Sequence, residues 1–157
     1  MIQTPLTPTQ TILVGGLVMG SIDILKHIVF LSFQGRPWYY VLQVVASGAL
    51  GKSAFQGGLS TALLGLFFHF VIAFTAFASY YIASRRISSL VDHPFLWGPL
   101  FGIAVFAFMR WVVFPFTAIG AVRTPMGVLI DGVLTHIVCV GLPTAFIVRE
   151  AARRPAP

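Results

Sequence analysis

Residues 11–33 read TILVGGLVMGSIDILKHIVFLSF, and this stretch decides the class of fold. It is almost continuously apolar, and Asp23 and Lys26 are the residues in it that carry a formal charge. At a rise of about 1.5 Å per residue, a helix of this length crosses a hydrocarbon core of about 30 Å. A chain inside the bilayer must satisfy its own backbone hydrogen bonds. We therefore predict a transmembrane α-helix over 11–33.

The composition of the whole chain agrees with this prediction. Hydrophobic residues make up 57% of the 157 residues and charged residues 9%, and the mean hydropathy is +0.91. An ordinary soluble domain carries about 25% charged residues. A chain with so few charges cannot cover the surface of a soluble fold, and it is too apolar for a disordered segment.

Three further apolar runs have spanning length, at 60–84, 95–116 and 126–148. Four antiparallel spans with short links favour a bundle. We therefore predict that residues 1–157 form one all-α domain, an integral membrane four-helix bundle. Pro143 lies inside the fourth run and should kink it.

The connector between the first two runs, residues 34–58, reads QGRPWYYVLQVVASGALGKSAFQGG. It is too long for a tight turn and too apolar for a solvated loop. Pro37 suits the first turn of a helix, and Trp38 and the tyrosines after it suit the membrane–water boundary. From Pro37 to about Leu50 we expect a short helix that lies in the interface or re-enters against the bundle. An irregular loop is the alternative.

The arginines and lysines outside the spans predict the orientation of the chain. The side that holds both termini carries five arginines, and the side of the first loop carries Arg36, Lys52 and Arg123. Positively charged loops stay in the cytoplasm. We therefore expect both termini to be cytoplasmic. The basic residues mostly flank apolar runs, so lipid headgroups, and not nucleic acid, are their expected partners.

Ionisable side chains inside the spans are costly and mark candidate functional residues. Measured from the first-loop end of each span, all of them lie at depths of about 6–15 Å. They predict a small polar cavity in that half of the membrane, which would bind a small ligand, a proton or an ion. The alternative is that they pair merely to close the bundle. The candidate ligand-binding residues are Asp23, Lys26, His27, His69, Arg110, Asp131 and His136.

The charges in this set balance, and their spacing predicts two ion pairs. Asp23 and Lys26 are three residues apart on one helix and can share a face. Arg110 and Asp131 lie at similar depth on adjacent spans, which favours a pair between helices.

Small residues at helical spacing predict which faces of the spans point inward. Gly16 and Gly20 share a stripe with Asp23 and His27, while the stripes of the second and fourth runs carry His69 and His136. Helices approach closely along such stripes. The two histidines lie at equal depth, so an alternative hypothesis is a haem held between His69 and His136 as axial ligands. No tight spacing motif indicates a non-haem metal site.

One stretch imitates a nucleotide site. Residues 46–53, ASGALGKS, fit a relaxed phosphate-loop pattern, but that loop needs a preceding strand and a Mg²⁺-binding aspartate. The flanking sequence here is membrane-associated, so we expect no bound nucleotide. No serine lies in a nucleophile elbow, and we expect no catalytic residues.

Three stretches carry a resemblance: VLQVVASGALGKSAFQGG (41–58), HFVIAFTAFASYY (69–81) and HPFLWGPLFGIAVFAFMRWVVFPFTAIG (93–120). They resemble small four-span bacterial inner-membrane proteins and, more distantly, the YagU-like membrane proteins, which are loosely linked to acid resistance. In the YagU-like pattern histidines lie in the spans that match His69 and His136. The resemblance implies a four-span fold in the bacterial inner membrane and implies no activity.

These features favour a non-enzymatic membrane protein without a cofactor, in the role of an accessory or assembly subunit. His27, His69 and His136 would then respond to protons, because histidine titrates nearest physiological pH. One alternative is a haem-binding redox or electron-transfer subunit. Another is a small-molecule or proton transporter, which would need a dimer because these four spans show no inverted repeat. The expected partners are the bilayer and either further copies of the chain or a larger membrane complex.

Overall fold

The computed structural model describes residues 6–120 and 124–153, and every regular element within those ranges is helical. Four helices are long and apolar enough to cross a membrane: Pro8–Phe33, Gly58–Ser84, Pro94–Phe116 and Met126–Arg153. These first to fourth spans confirm the predicted all-α four-helix bundle. Each observed span contains the predicted run and extends it by up to a few residues.

The first span, α1 (Pro8–Phe33), begins three residues before its predicted start because its N-terminus is capped. The Thr7 hydroxyl accepts a hydrogen bond from the Gln10 backbone N–H, and the Gln10 side chain accepts one from the Thr7 backbone N–H. This reciprocal capping box satisfies two N–H groups that the first turn would otherwise leave unpaired.

Glycines bring the first span against the second span, α3 (Gly58–Ser84). A β-carbon built on Gly16 would lie 2.4 Å from the Phe74 ring, and one on Gly20 would lie 2.9 Å from the Ala73 side chain. Both distances are too short for a real contact, so the two helices pack at a separation that only glycine permits. The predicted inward stripe of the first span is confirmed along this contact.

The predicted helix of the connector is confirmed as α2 (Tyr40–Leu50), followed by a 3₁₀ turn, Gly51–Gln56. It packs against both the first and second spans, and a β-carbon on Gly65 would lie 1.8 Å from the carbonyl oxygen of Leu42. Val41 and Leu42 share an apolar cluster with Ile24, nine residues before the end of α1. Helix α2 is therefore docked in the groove between two spans.

The third and fourth spans are each interrupted by a π-turn close to a proline. The third consists of α5 (Pro94–Phe108), a π-turn at Met109–Val113 and a 3₁₀ turn at Phe114–Phe116; the fourth consists of α6 (Met126–Thr135), a π-turn at His136–Gly141 and α7 (Leu142–Arg153). Pro115 and Pro143 have no N–H to donate to the preceding turn, and a wider turn accommodates that loss. The expected irregularity at Pro143 therefore takes the form of a π-turn.

A short helix, α4 (Ser89–Asp92), forms the second loop and is fastened to the spans on either side. The Tyr80 hydroxyl donates to the carbonyl of Leu90 at 2.9 Å, and the Trp97 indole N–H donates to the Ser89 hydroxyl at 2.9 Å. The main core lies at this end of the bundle around the fully buried Phe77. The polar residues of the spans lie toward the opposite, first-loop end.

Candidate functional site

The centre of the candidate site is an ion pair between the first and fourth spans. The Lys26 Nζ donates to both carboxylate oxygens of Asp131, at 2.8 Å and 2.7 Å. The Lys26 side chain remains 27% exposed and the Asp131 side chain 33% exposed. The pair therefore joins two spans while staying partly accessible.

This ion pair overturns both predicted pairings. Among the described residues, the ion-pair partner of Asp131 is Lys26 and not Arg110, and both carboxylate oxygens contact the Lys26 ammonium group. Lys26 does not pair with Asp23 on its own helix, since its ammonium group reaches across to the fourth span. Arg110 lies in the π-turn of the third span and is half-buried. Sequence spacing predicts which charged residues lie at the same depth in the membrane. It does not predict which of them form ion pairs.

Asp23 and His27 form the next layer of the site. They lie four residues apart on α1, and His27 Nε2 is 3.8 Å from Asp23 Oδ1. The Asp23 side chain is 13% exposed and that of His27 is 26% exposed. The Asp23 Oδ1 atom is buried, and it accepts no hydrogen bond from the residues that the structure describes.

Electrostatic interactions connect these layers into one cluster. The ring of His27 interacts with the charges of Asp23, Lys26 and Asp131 and also with His136. We call these five residues the polar cluster. The thiol of Cys139, a buried residue on the fourth span, interacts with Asp23, Lys26 and Asp131. The polar cluster therefore occupies the interface of the first and fourth spans.

His69 belongs to a different interface from the polar cluster. Its Nε2–H donates to the carbonyl oxygen of Gly20 at 2.8 Å, which ties the second span to the first. His136 Nδ1–H donates to the Gly132 carbonyl at 2.8 Å, and its ring packs edge-on against Phe106 of the third span. These contacts give the two rings different neighbours, and it is His27 that interacts with His136. A haem shared by His69 and His136 stays a prediction.

Sequence reasoning missed two buried hydroxyls on the fourth span. Thr135 is 3% exposed and Thr144 is fully buried, and the hydroxyl oxygen of each lacks a hydrogen-bond partner among the described residues. Thr135 lies one turn from Asp131 and one turn from Cys139, which places it beside the polar cluster. The signal that could have found it is its four-residue spacing from Asp131.

Two shallow cavities lie on the bundle, and neither is lined by a residue of the polar cluster. One, of about 280 Å³, lies at the opposite end of the bundle beside Leu6 and Phe146, and the other, of about 270 Å³, is an apolar groove beside Phe106 and Trp111. Across the described ranges, no group of three or more His, Cys, Asp or Glu side chains could hold a metal ion.

Comparisons of the chain with protein-family models, curated proteins and solved structures give no match. The resemblance to YagU-like proteins therefore stays a prediction.

Proposed function

We propose that this protein is a non-enzymatic, multi-pass protein of the bacterial inner membrane whose polar cluster is a small-ligand site that responds to protons. The single observation that carries the proposal is the Lys26–Asp131 ion pair, which remains about a third exposed within the spans. Charged groups in a membrane usually face the interior or a water-filled space, because contact with lipid is costly. The proposed cavity therefore opens at the polar cluster, toward the first loop.

The orientation and the partners are part of the same proposal. Five arginines on the side of the termini, against three basic residues on the first-loop side, favour cytoplasmic termini. The site then opens to the outer side of the membrane. The proposed role is that of an accessory or assembly subunit, either as several copies or within a larger complex. Native mass spectrometry of the protein released from its membrane would count its subunits.

The proton response can be tested on purified protein in lipid nanodiscs. The melting temperature is measured between about pH 5 and 8, the range in which histidine titrates. A variant with His27, His69 and His136 all replaced by Gln should lose most of the pH dependence. The control is His93→Gln, which changes a histidine outside the four spans and should leave the pH dependence as it is. An unchanged pH profile in the triple variant would refute the proposal.

A further inference from the structure

One oxygen of the Asp23 carboxylate, Oδ1, is buried without a hydrogen-bond donor among the described residues. This oxygen lies 3.8 Å from His27 Nε2, a ring nitrogen that can become a donor when the ring is protonated. A buried acceptor without a donor costs free energy, and a buried charge costs more. When His27 is neutral, the carboxylate therefore lacks the donor that its burial calls for.

The other charges of the cluster do not supply that donor. Lys26 directs its ammonium group to both oxygens of Asp131. On the fourth span, His136 is the further titratable group that interacts with His27, whereas the Cys139 thiol interacts with Asp23. From the second span His69 donates to Gly20, while α2, which also packs on the first span, contributes no charged residue. His27 is therefore the group placed to donate a hydrogen bond to Asp23 Oδ1.

We propose that Asp23 and His27 together bind one exchangeable proton, and this inference rests on the proposed function and names its ligand. A proton transferred from a hydronium ion to His27 Nε2 leaves a water molecule and creates an imidazolium ion whose N–H donates to Asp23 Oδ1. The contact of 3.8 Å then shortens to the length of a charge-assisted hydrogen bond, about 2.7–2.9 Å. Loss of that proton to water restores a neutral ring beside the carboxylate.

The exposure of the neighbouring side chains indicates the route of the proton. Exposure falls from about a third at Asp131 to 13% at Asp23. His27 is 26% exposed, about as much as Lys26, so Asp23 is the more enclosed member of the Asp23–His27 pair and His27 is the member that exchanges its proton with water. The proton enters and leaves on the first-loop side of the membrane.

Nitrogen NMR of histidine in nanodiscs tests the proposal. The His27 resonance of the wild type should titrate with pH, and Asp23→Asn should lower the proton affinity of His27 at least about tenfold, because a neighbouring carboxylate is removed. The matched control is Asp131→Asn, which removes the same charge from a side chain that Lys26 already pairs, and it should have a smaller effect. A His27 ring that never titrates, or equal effects of the two variants, would overturn the proposal.

A second measurement remains informative even if the Asp23→Asn variant does not fold. The carboxyl carbon resonance of Asp23 should shift with pH in step with His27, and His27→Gln should abolish that shift at the same pH values. At constant pH and ionic strength, replacing potassium by sodium should leave both resonances in place. A sodium-dependent shift would show that a metal cation is the ligand and would overturn the proton assignment.

If His27 fails to titrate while the triple histidine variant still loses its pH dependence, this inference falls and the proposed function stands.

Discussion

Replacement of Gly65 by Ala should undock helix α2 from the second span. A β-carbon at this position would lie 1.8 Å from the carbonyl oxygen of Leu42 and 3.1 Å from the backbone nitrogen of Ala46, whereas ordinary contact begins at 3.4 Å. The backbone of α2 would have to retreat by about 1.6 Å, the difference between 3.4 Å and 1.8 Å. Backbone atoms of a packed helix cannot rotate away as a side chain can. Overpacking of this kind costs about 1–3 kcal/mol.

Hydrogen exchange in nanodiscs measures this undocking directly. Amides of Tyr40–Leu50 should exchange faster in Gly65→Ala than in the wild type, by about 5-fold to more than 100-fold if the full 1–3 kcal/mol opens the helix locally. The control is Gly127→Ala in the fourth span, where an added β-carbon meets nothing within 4 Å. Equal protection of α2 in both variants and the wild type would refute the close docking of α2.

Three further predictions concern the polar residues of the spans. Lys26→Met should destabilise the bundle by less than the roughly 3–5 kcal/mol typical of a broken buried pair, because the pair is partly exposed, and adding Asp131→Leu should recover much of that loss in a denaturation titration. His69→Ala removes the bond to the Gly20 carbonyl, so the unfolding free energy should fall by about 1 kcal/mol or more without loss of fold by circular dichroism. The haem alternative requires a Soret band in protein expressed with ample haem supply, and its absence would count against His69 and His136 as ligands.

The sequence was sufficient to predict the spans, because the length of an apolar run is fixed by the thickness of the bilayer. It also predicted α2, since Pro37 and the aromatic residues after it begin a helix at a membrane boundary. It did not predict α4 (Ser89–Asp92), which is too short to show periodicity. The capping box at Thr7 and Gln10 could have been read from the sequence TPTQ and would have corrected the start of the first span.

The candidate site was harder to predict than the fold. Depth along a helix follows from counting residues, and counting placed Lys26 and Asp131 in the same layer. Which side chains meet depends on the order and rotation of the spans around the bundle, and a single sequence does not encode these in its periodicity. The stripes of small residues predicted that the faces carrying His69 and Gly20 point inward, which agrees with their contact. The pairing of Lys26 with Asp131 could be seen only in the structure.

The π-turn at His136–Gly141 is equivalent to one residue inserted into a regular helix. One added residue rotates everything beyond it by about 100° relative to what precedes it. The two halves of the fourth span therefore follow separate registers, and an alignment of this chain with any relative that lacks Pro143 should open a single-residue gap there. Deleting one residue in this turn would test the same point. The fourth span would then become an uninterrupted helix, and either the core-facing side of α7 would rotate away from the core or Asp131 on α6 would rotate away from Lys26.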